Sequence, residues 1–235
     1  MKRPVSPWPA IIVIVVVMMG LVSLVLYQGI QSRRKTVTPV SPAKSYNREL
    51  VLNQSLFYDD KTIRVHWPDR RKTLTGKEGD TFPSRPVISP NGFKLAYISP
   101  YEFELIGDVF VYDAMTNQQK NLSIPEQLPN QHSPKKLYWF NDHILLMIAG
   151  FGYGTVSPGG EIYAYDLDTR RFFPIIKNPT GRHQFVEIQL LDKSVILKQI
   201  HFDRDFLEYT TGHVTWSRDS IQNLLTIMEN GTRPQ

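Results

Sequence analysis

The sequence contains no cysteine, which removes disulfides, thiol catalysis and thiolate metal sites together. It also lacks the short spacings on which several chemistries depend. No G-x-S-x-G elbow is present, no H-E-x-x-H pairs two of the six histidines, and no G-x-G-x-x-G opens a dinucleotide fold. Acid is missing from one end. Residues 1–35 hold Lys2, Arg3, Arg33, Arg34 and Lys35 and neither Asp nor Glu. The whole chain has 27 Lys and Arg against 22 Asp and Glu, so residues 36–235 carry 22 of each. A neutral domain lacks the clustered, uncompensated bases that phosphate contacts need, which excludes a nucleic-acid partner. An 11% aromatic and 41% hydrophobic content excludes a disordered chain.

What the sequence does have is one long apolar run. Ala10 to Tyr27 is free of charge, interrupted only by Gly20 and Ser23, and it reaches Ile30 if Gln28 and Gly29 are included. At a helical rise of about 1.5 Å per residue it spans roughly 27 to 31 Å, enough for the hydrocarbon core of a bilayer. Trp8 and Tyr27 stand where interfacial rings settle, and Pro7, Pro9 and Arg33-Arg34-Lys35 suit membrane edges better than a buried core helix. Cleavage as a signal peptide is disfavoured, because Val25 to Ile30 offers bulky residues where small ones are needed. The expected arrangement is a flank over residues 1–9, a single membrane helix over 10–30, a basic stop and Pro/Ser/Thr spacer over 31–47, and a domain over 48–235. The flanking bases nearly balance. The absence of cysteine and the β-rich domain favour an extracytoplasmic domain with the N-terminus inside.

The domain reads as all-β. Strands are expected at Leu56–Tyr58, Thr62–Trp67, Lys94–Ile98, Asp108–Tyr112, Leu137–Phe140, His143–Ala149, Glu161–Tyr165, Phe172–Ile176, Phe185–Leu190, Ser194–Ile200, Glu208–Thr211 and His213–Ser217. Turn-forming residues such as Pro90-Asn91-Gly92, Asn141-Asp142 and Asp192-Lys193 separate them. Only the tail offers a helix, over about Ser220 to Glu229. There Ile221, Leu224, Leu225 and Met228 recur at helical spacing, with Asp219 or Ser220 as cap.

An internal repeat orders these strands. Residues 87–122 can be laid over residues 138–176, with Asp108-Val109-Phe110-Val111-Tyr112-Asp113 matching Glu161-Ile162-Tyr163-Ala164-Tyr165-Asp166. Each copy runs strand, tight turn, apolar strand, loop, a strand closing on Tyr-Asp, turn and closing strand, as propeller blades do. The first copy, Ile88-Ser89-Pro90-Asn91-Gly92-Phe93-Lys94-Leu95-Ala96-Tyr97 and then the run to Asp113, resembles TolB-like β-propeller repeats. The second copy departs, with Phe140-Asn141-Asp142-His143 in place of the turn. The chain as a whole is similar to small, single-anchor extracytoplasmic proteins of unknown function from Gram-positive bacteria. The resemblance implies a propeller-like domain, yet the length allows only about four blades. The domain is therefore either an unusually small propeller, or an open blade stack or sandwich built from the same hairpins, and self-association would complete an open stack.

Chemistry is sparse. Gly150-Phe151-Gly152-Tyr153-Gly154 has the wrong spacing for a phosphate loop and reads as a flexible hairpin loop, whose Phe151 and Tyr153 form the candidate binding surface. Asp59-Asp60, Asp166-x-Asp168 and Asp203-x-Asp205 offer too few converging oxygens for a hard cation and read as turn-forming acids. No cofactor, metal or catalytic constellation emerges. Arg70-Arg71-Lys72 and Lys135-Lys136 read as solvated surface, with anionic lipid or wall polymer as the other reading. The leading expectation is a membrane-anchored binding or interaction protein, bound to the bilayer through residues 10–30 and to another envelope protein, peptide or polymer through its domain. The alternative is an envelope enzyme or accessory subunit with a site around His201, Asp203 and Asp205, supported if two of them share a deep pocket. A sensor is disfavoured, because nine residues before the apolar run make no output domain.

Overall fold

Strand, turn and strand recur because each turn supplies its own acceptors. In Ser89-Pro90-Asn91-Gly92 the Asn91 side-chain oxygen accepts the amide of Phe93 (3.0 Å), the Ser89 hydroxyl accepts that of Lys94 (2.9 Å), and Gly92 takes a left-handed φ of 77°. The deviant second copy reaches the same end through Asn141 alone, whose oxygen accepts the amides of His143 and Ile144 (3.0 and 2.7 Å). The two turns also touch, with the Asn91 amide donating to the Asp142 carboxylate at 2.8 Å. Asp113 and Asp166, which end the two Tyr-Asp strands, accept the amides of Met115 and Asp168.

The computed structural model describes residues 46–50, 54–59, 61–74, 82–154, 157–177 and 180–229. The expected flank, membrane helix and most of the spacer, residues 1–45, lie outside the described residues. Among the described residues no helix is long and apolar enough to cross a membrane. Ser45–Gln235 is one compact unit.

That unit holds four antiparallel meanders in chain order. The first sheet is β1 (Tyr46–Leu50), β2 (Gln54–Tyr58), β3 (Ile63–His66) and β4 (Arg71–Leu74). The second is β5 (Val87–Ile88), β6 (Lys94–Ser99), β7 (Asp108–Asp113) and β8 (Gln118–Asn121). The third is β9 (His132–Trp139), β10 (Ile144–Phe151), β11 (Glu161–Asp166) and β12 (Arg171–Ile176). The last has three strands, β13 (His183–Leu190), β14 (Ser194–Phe202) and β15 (Tyr209–Ser217), and is followed by the single described helix, α1 (Arg218–Glu229). The architecture is thus β throughout, propeller-like in its run of small sheets, with one C-terminal helix.

Three hydrophobic clusters join neighbouring sheets. Leu56, Ile63 and Val65 of the first sheet meet Leu95, Tyr97, Phe110 and Tyr112 of the second. The other face of the second, with Ala96, Ile98, Val109 and Val111, meets Leu145, Met147, Tyr163 and Tyr165 of the third. The reverse face of the third, with Ile144, Leu146, Ile148, Ile162 and Ala164, meets Phe185, Ile188, Val195 and Leu197 of the last. The two middle sheets are buried on both faces, and for that reason β7 and β10 read as unbroken apolar runs. The end sheets turn polar side chains outward, Arg64 and Thr73 on one and Glu187, Gln189 and Thr215 on the other. Among the described residues each cluster joins sheets that are successive in the chain, and no hydrophobic cluster joins the first sheet to the last.

Three sequence expectations are corrected. Glu208–Thr211 and His213–Ser217 are one strand, β15, because Gly212 has no left-handed φ and merely continues the ladder opposite Gln199. The helix starts at Arg218 and is capped by Ser217, whose hydroxyl accepts the Ser220 amide at 3.0 Å. Arg71 and Lys72 of the basic knot lie in the outer strand β4. Ile221 and Leu225 bury α1 against Phe173 of β12 and the last sheet.

Burial raises the ionisation of Tyr112 to about 12 and that of Tyr97 higher still. A raised folded-state pKa means the native protein holds its proton where the unfolded chain has lost it. The corresponding stability is complete below the ordinary tyrosine value of about 10 and is lost as pH climbs through 12. Alkaline titration is therefore expected to show tyrosinate absorbance rising together with loss of circular dichroism. Ionisation of all 11 tyrosines near pH 10 in a still-folded protein would contradict this burial.

Candidate functional site

The two ends of the sheets differ. One end carries the tight turns after β5, β7, β9, β11 and β13. The other carries the longer connections after β4, β6, β8, β10, β12 and β14. Large apolar side chains exposed to solvent concentrate at this second end. They are Phe82 before β5; Tyr101, Phe103 and Leu105 after β6; Phe151 and Tyr153 after β10; and Phe206, Leu207 and Tyr209 after β14. Phe103 is 67% exposed and Leu207 83%, values at which a side chain has almost no intramolecular cover. Outside this end only Met115, Leu191 and Ile227 are comparable among the described residues. These nine side chains thus share one end of the sheets.

Polar contacts lock the loops together beneath these side chains. The Tyr101 hydroxyl donates to the Lys135 carbonyl (3.0 Å), the Gly107 amide to the Ser133 hydroxyl (3.1 Å) and the Gly152 amide to the Gln131 carbonyl (2.8 Å). Phe151 packs edge-on against Tyr153 at 5.7 Å and against His132 at 6.4 Å. The two aromatics expected to form the binding surface therefore stand side by side, with an imidazole as backing. Phe206 and Tyr209 both pack on the buried Phe202, at 5.5 and 5.6 Å. Among the described residues, five of the seven non-glycine residues with left-handed φ lie in these loops: Phe82, Glu104, Ser123, Gln131 and Phe206. Such a conformation is strained for an aromatic residue, and strain held in place by surrounding structure clusters where a surface has work to do.

Two recesses open at this end. One of about 180 Å³ lies between the third and last sheets, walled by His132, Phe151, Glu161, Thr180 and His183. The other, of about 220 Å³, is bounded by Ser84, Arg85, Tyr101, Lys135 and Tyr138, and burial pulls the Lys135 ammonium below its ordinary range. A larger groove of about 590 Å³ runs between β8 of the second sheet and the β11–β12 turn of the third, past Lys120, Tyr165 and Arg170. At the recess wall the Tyr163 hydroxyl donates to Glu161 at 2.6 Å; burial first, and that carboxylate second, push its ionisation well above the ordinary value.

The alternative site does not assemble. The His201 ring lies tilted against that of His183 across the ladder, with centroids 4.0 Å apart, while Asp203 accepts the Leu207 amide at 2.9 Å. None of these three cavities is lined by His201, Asp203 or Asp205. Asp59 likewise accepts the amides of Lys61 and Thr62, so these acids shape turns. Among the described residues no three His, Asp or Glu side chains converge as metal ligands. Sequence reasoning found Phe151 and Tyr153 and missed the other seven exposed side chains. The available signal was apolar residues alternating with acids inside loop segments, as in Tyr101-Glu102-Phe103-Glu104-Leu105 and Phe206-Leu207-Glu208-Tyr209.

Among solved structures, the chain is similar to a Clostridium novyi NT protein assigned as a conserved lipoprotein, at 19% identity over 70% of this chain and 98% of that one, with a TM-score of 0.53. That likeness shows a shared fold. The β-propeller domain of the trilobed protease from Pyrococcus furiosus, described as having an open velcro topology, matches at 15% identity over 73% of this chain and 54% of that one, with a TM-score of 0.45. The acylaminoacyl peptidase of Pyrococcus horikoshii matches at 15% identity over 74% of this chain and 32% of that one, with a TM-score of 0.44. No curated protein matches by sequence. The family model described as "Domain of unknown function (DUF4652)" covers residues 100–217, from the loop that carries Phe103 to the end of β15, and the chain belongs to that family.

Proposed function

We propose that this protein is a membrane-tethered, extracytoplasmic binding protein whose TolB-like blades present the loop end of the sheets to another envelope protein, peptide or polymer. One observation carries the reading: nine exposed large apolar side chains gathered on neighbouring loops at one end. Interfaces draw their energy from such anchors once water is excluded around them. The tether is the run from Ala10 to Ile30. The similar Clostridium protein is assigned as a lipoprotein; with no cysteine available for acylation, the apolar run would do the equivalent work of holding the domain at the membrane.

The full chain carrying Phe103→Ser, Phe151→Ser and Leu207→Ser together is expected to fold normally, since exposed positions rarely shift stability by more than about 0.5 kcal/mol. Its retention of envelope components in affinity capture should fall at least about tenfold. Protease added to intact cells should remove the domain. Undiminished capture by the triple variant would separate the loop end from binding, and a protease-protected domain would overturn the extracytoplasmic placement.

A further inference from the structure

The outer strands of the first three sheets carry the devices that stop a sheet edge from pairing. β4 is four residues long and begins Arg71-Lys72. β8 is equally short and contains Lys120. β12 contains Arg171 and Pro174, loses register near Ile175, and is backed by α1. β15 has none of these. From Tyr209 to Ser217 it runs nine residues without Lys, Arg, Asp, Glu or Pro, in unbroken register with β14.

The direction of its free backbone groups follows from the ladder. The Asp203 amide donates to the Glu208 carbonyl and the Arg218 amide to the Lys193 carbonyl, each at 3.0 Å, which frames the β14–β15 pairing at both ends. Hydrogen-bonded and non-bonded pairs alternate in an antiparallel ladder. Residues 210, 212, 214 and 216 therefore bond to β14, and the N–H and C=O groups of Tyr209, Thr211, His213, Thr215 and Ser217 point away from it. The Ser217 carbonyl accepts the first bond of α1, and the remaining outward groups lie outside the β14 ladder.

We propose that two copies of this chain pair through β15, antiparallel about a two-fold axis at His213, and so join their last sheets into one six-stranded sheet. The register is self-complementary. Tyr209 of each copy meets Ser217 of the other, Thr211 meets Thr215, and His213 meets itself. Every outward residue faces an outward residue, giving about eight backbone hydrogen bonds once the Ser217 carbonyls engaged by α1 are set aside. Facing threonines suit a pleated surface, and apart from His213, which meets itself on the axis, the strand has no ionisable acid or base to set against its copy. Two-fold closure leaves no further edge to propagate into a fibre, and six strands lie within the usual size of a sheet. This surface meets the loop end at Tyr209 alone, and dimerisation and envelope capture are read by different measurements, so failure of one proposal is distinguishable from failure of the other.

The full chain in detergent micelles is expected to sediment as a dimer. His213→Cys, made in a chain otherwise free of cysteine, should form a disulfide-linked dimer under mild oxidation, because facing residues of a hydrogen-bonded pair lie about 5.5 Å apart, within disulfide reach. Leu191→Cys, in the tight turn before β14, should stay unlinked. Thr211→Pro deletes an outward N–H without touching the β14 ladder, and His213→Glu sets two carboxylates against each other; each should raise the dimer dissociation constant at least tenfold while leaving the circular dichroism unchanged. A monomeric wild type, a dimer indifferent to both changes, an unlinked His213→Cys chain, or pairing of β15 with a different protein would each overturn the proposal.

Discussion

Replacing Gly160 by alanine is expected to destabilise the domain by about 3 kcal/mol, the top of the usual range for forcing atoms into a packed site. Gly160 sits where the third sheet is stitched to the last. Its amide donates to the Phe185 carbonyl at 3.0 Å and its carbonyl accepts the Phe185 amide at 2.8 Å, an isolated bridge outside either sheet's own ladder. A Cβ at Gly160 would overlap the Ala149 carbonyl oxygen and come within 2.7 Å of the Gly150 Cα. Both neighbours are backbone of β10, so no rotamer change relieves the clash. The bridge must open or the ladder must shift, and either displaces the loop that carries Phe151 and Tyr153. The midpoint of chemical denaturation should fall accordingly. Gly154 is the control in the same loop: it needs its φ of 77° but has open space where a Cβ would go, so alanine there should cost only about 1 kcal/mol of left-handed strain. Equal losses at the two positions would refute the close approach at Gly160.

Leu146→Ala is expected to cost about 3 to 4 kcal/mol, as full burial of a leucine predicts when the surroundings cannot collapse into the void. Leu146 is 1% exposed on the face of the third sheet that meets the last sheet. Its strand is paired on both edges, with β9 and with β11, so the backbone around the cavity is fixed. Thr215→Ala, on the exposed outer face of the last sheet, should stay within about 0.5 kcal/mol. Thermal unfolding of the two variants separates the cases. If both shifted by similar amounts, the burial of the third sheet against the last would be wrong.

Most of the middle of the fold was legible in the sequence. Strands buried on both faces cannot avoid showing themselves: Val109-Phe110-Val111-Tyr112 and Ile162-Tyr163-Ala164-Tyr165 are apolar throughout because each face has a sheet against it. The strands that escaped notice lie at sheet edges. Arg71-Lys72-Thr73-Leu74 carries the charge that protects an edge, and the same charge makes it resemble solvated surface. The site was half legible for a related reason. Phe151 and Tyr153 stood out against the glycines around them, whereas Phe103 and Leu207 lie among acids, and only the three-dimensional gathering of four loops turns them into one surface. The shared end of Phe82, Phe151 and Phe206, residues far apart in the chain, follows from the alternation of long and short connections and from no local pattern.

The serial arrangement has a mechanical consequence. Each sheet is a local meander whose apolar faces, among the described residues, are shared with its neighbours in the chain. A pulling force entering at Tyr46 would meet β1 and its pairing with β2 first, and could unzip the first sheet while the clusters behind it held. Tension would therefore be released in steps of one sheet, with the two doubly buried sheets the last to yield. Such a domain behaves as a graded extensible element, able to lose its first sheet and keep most of its loop surface in place.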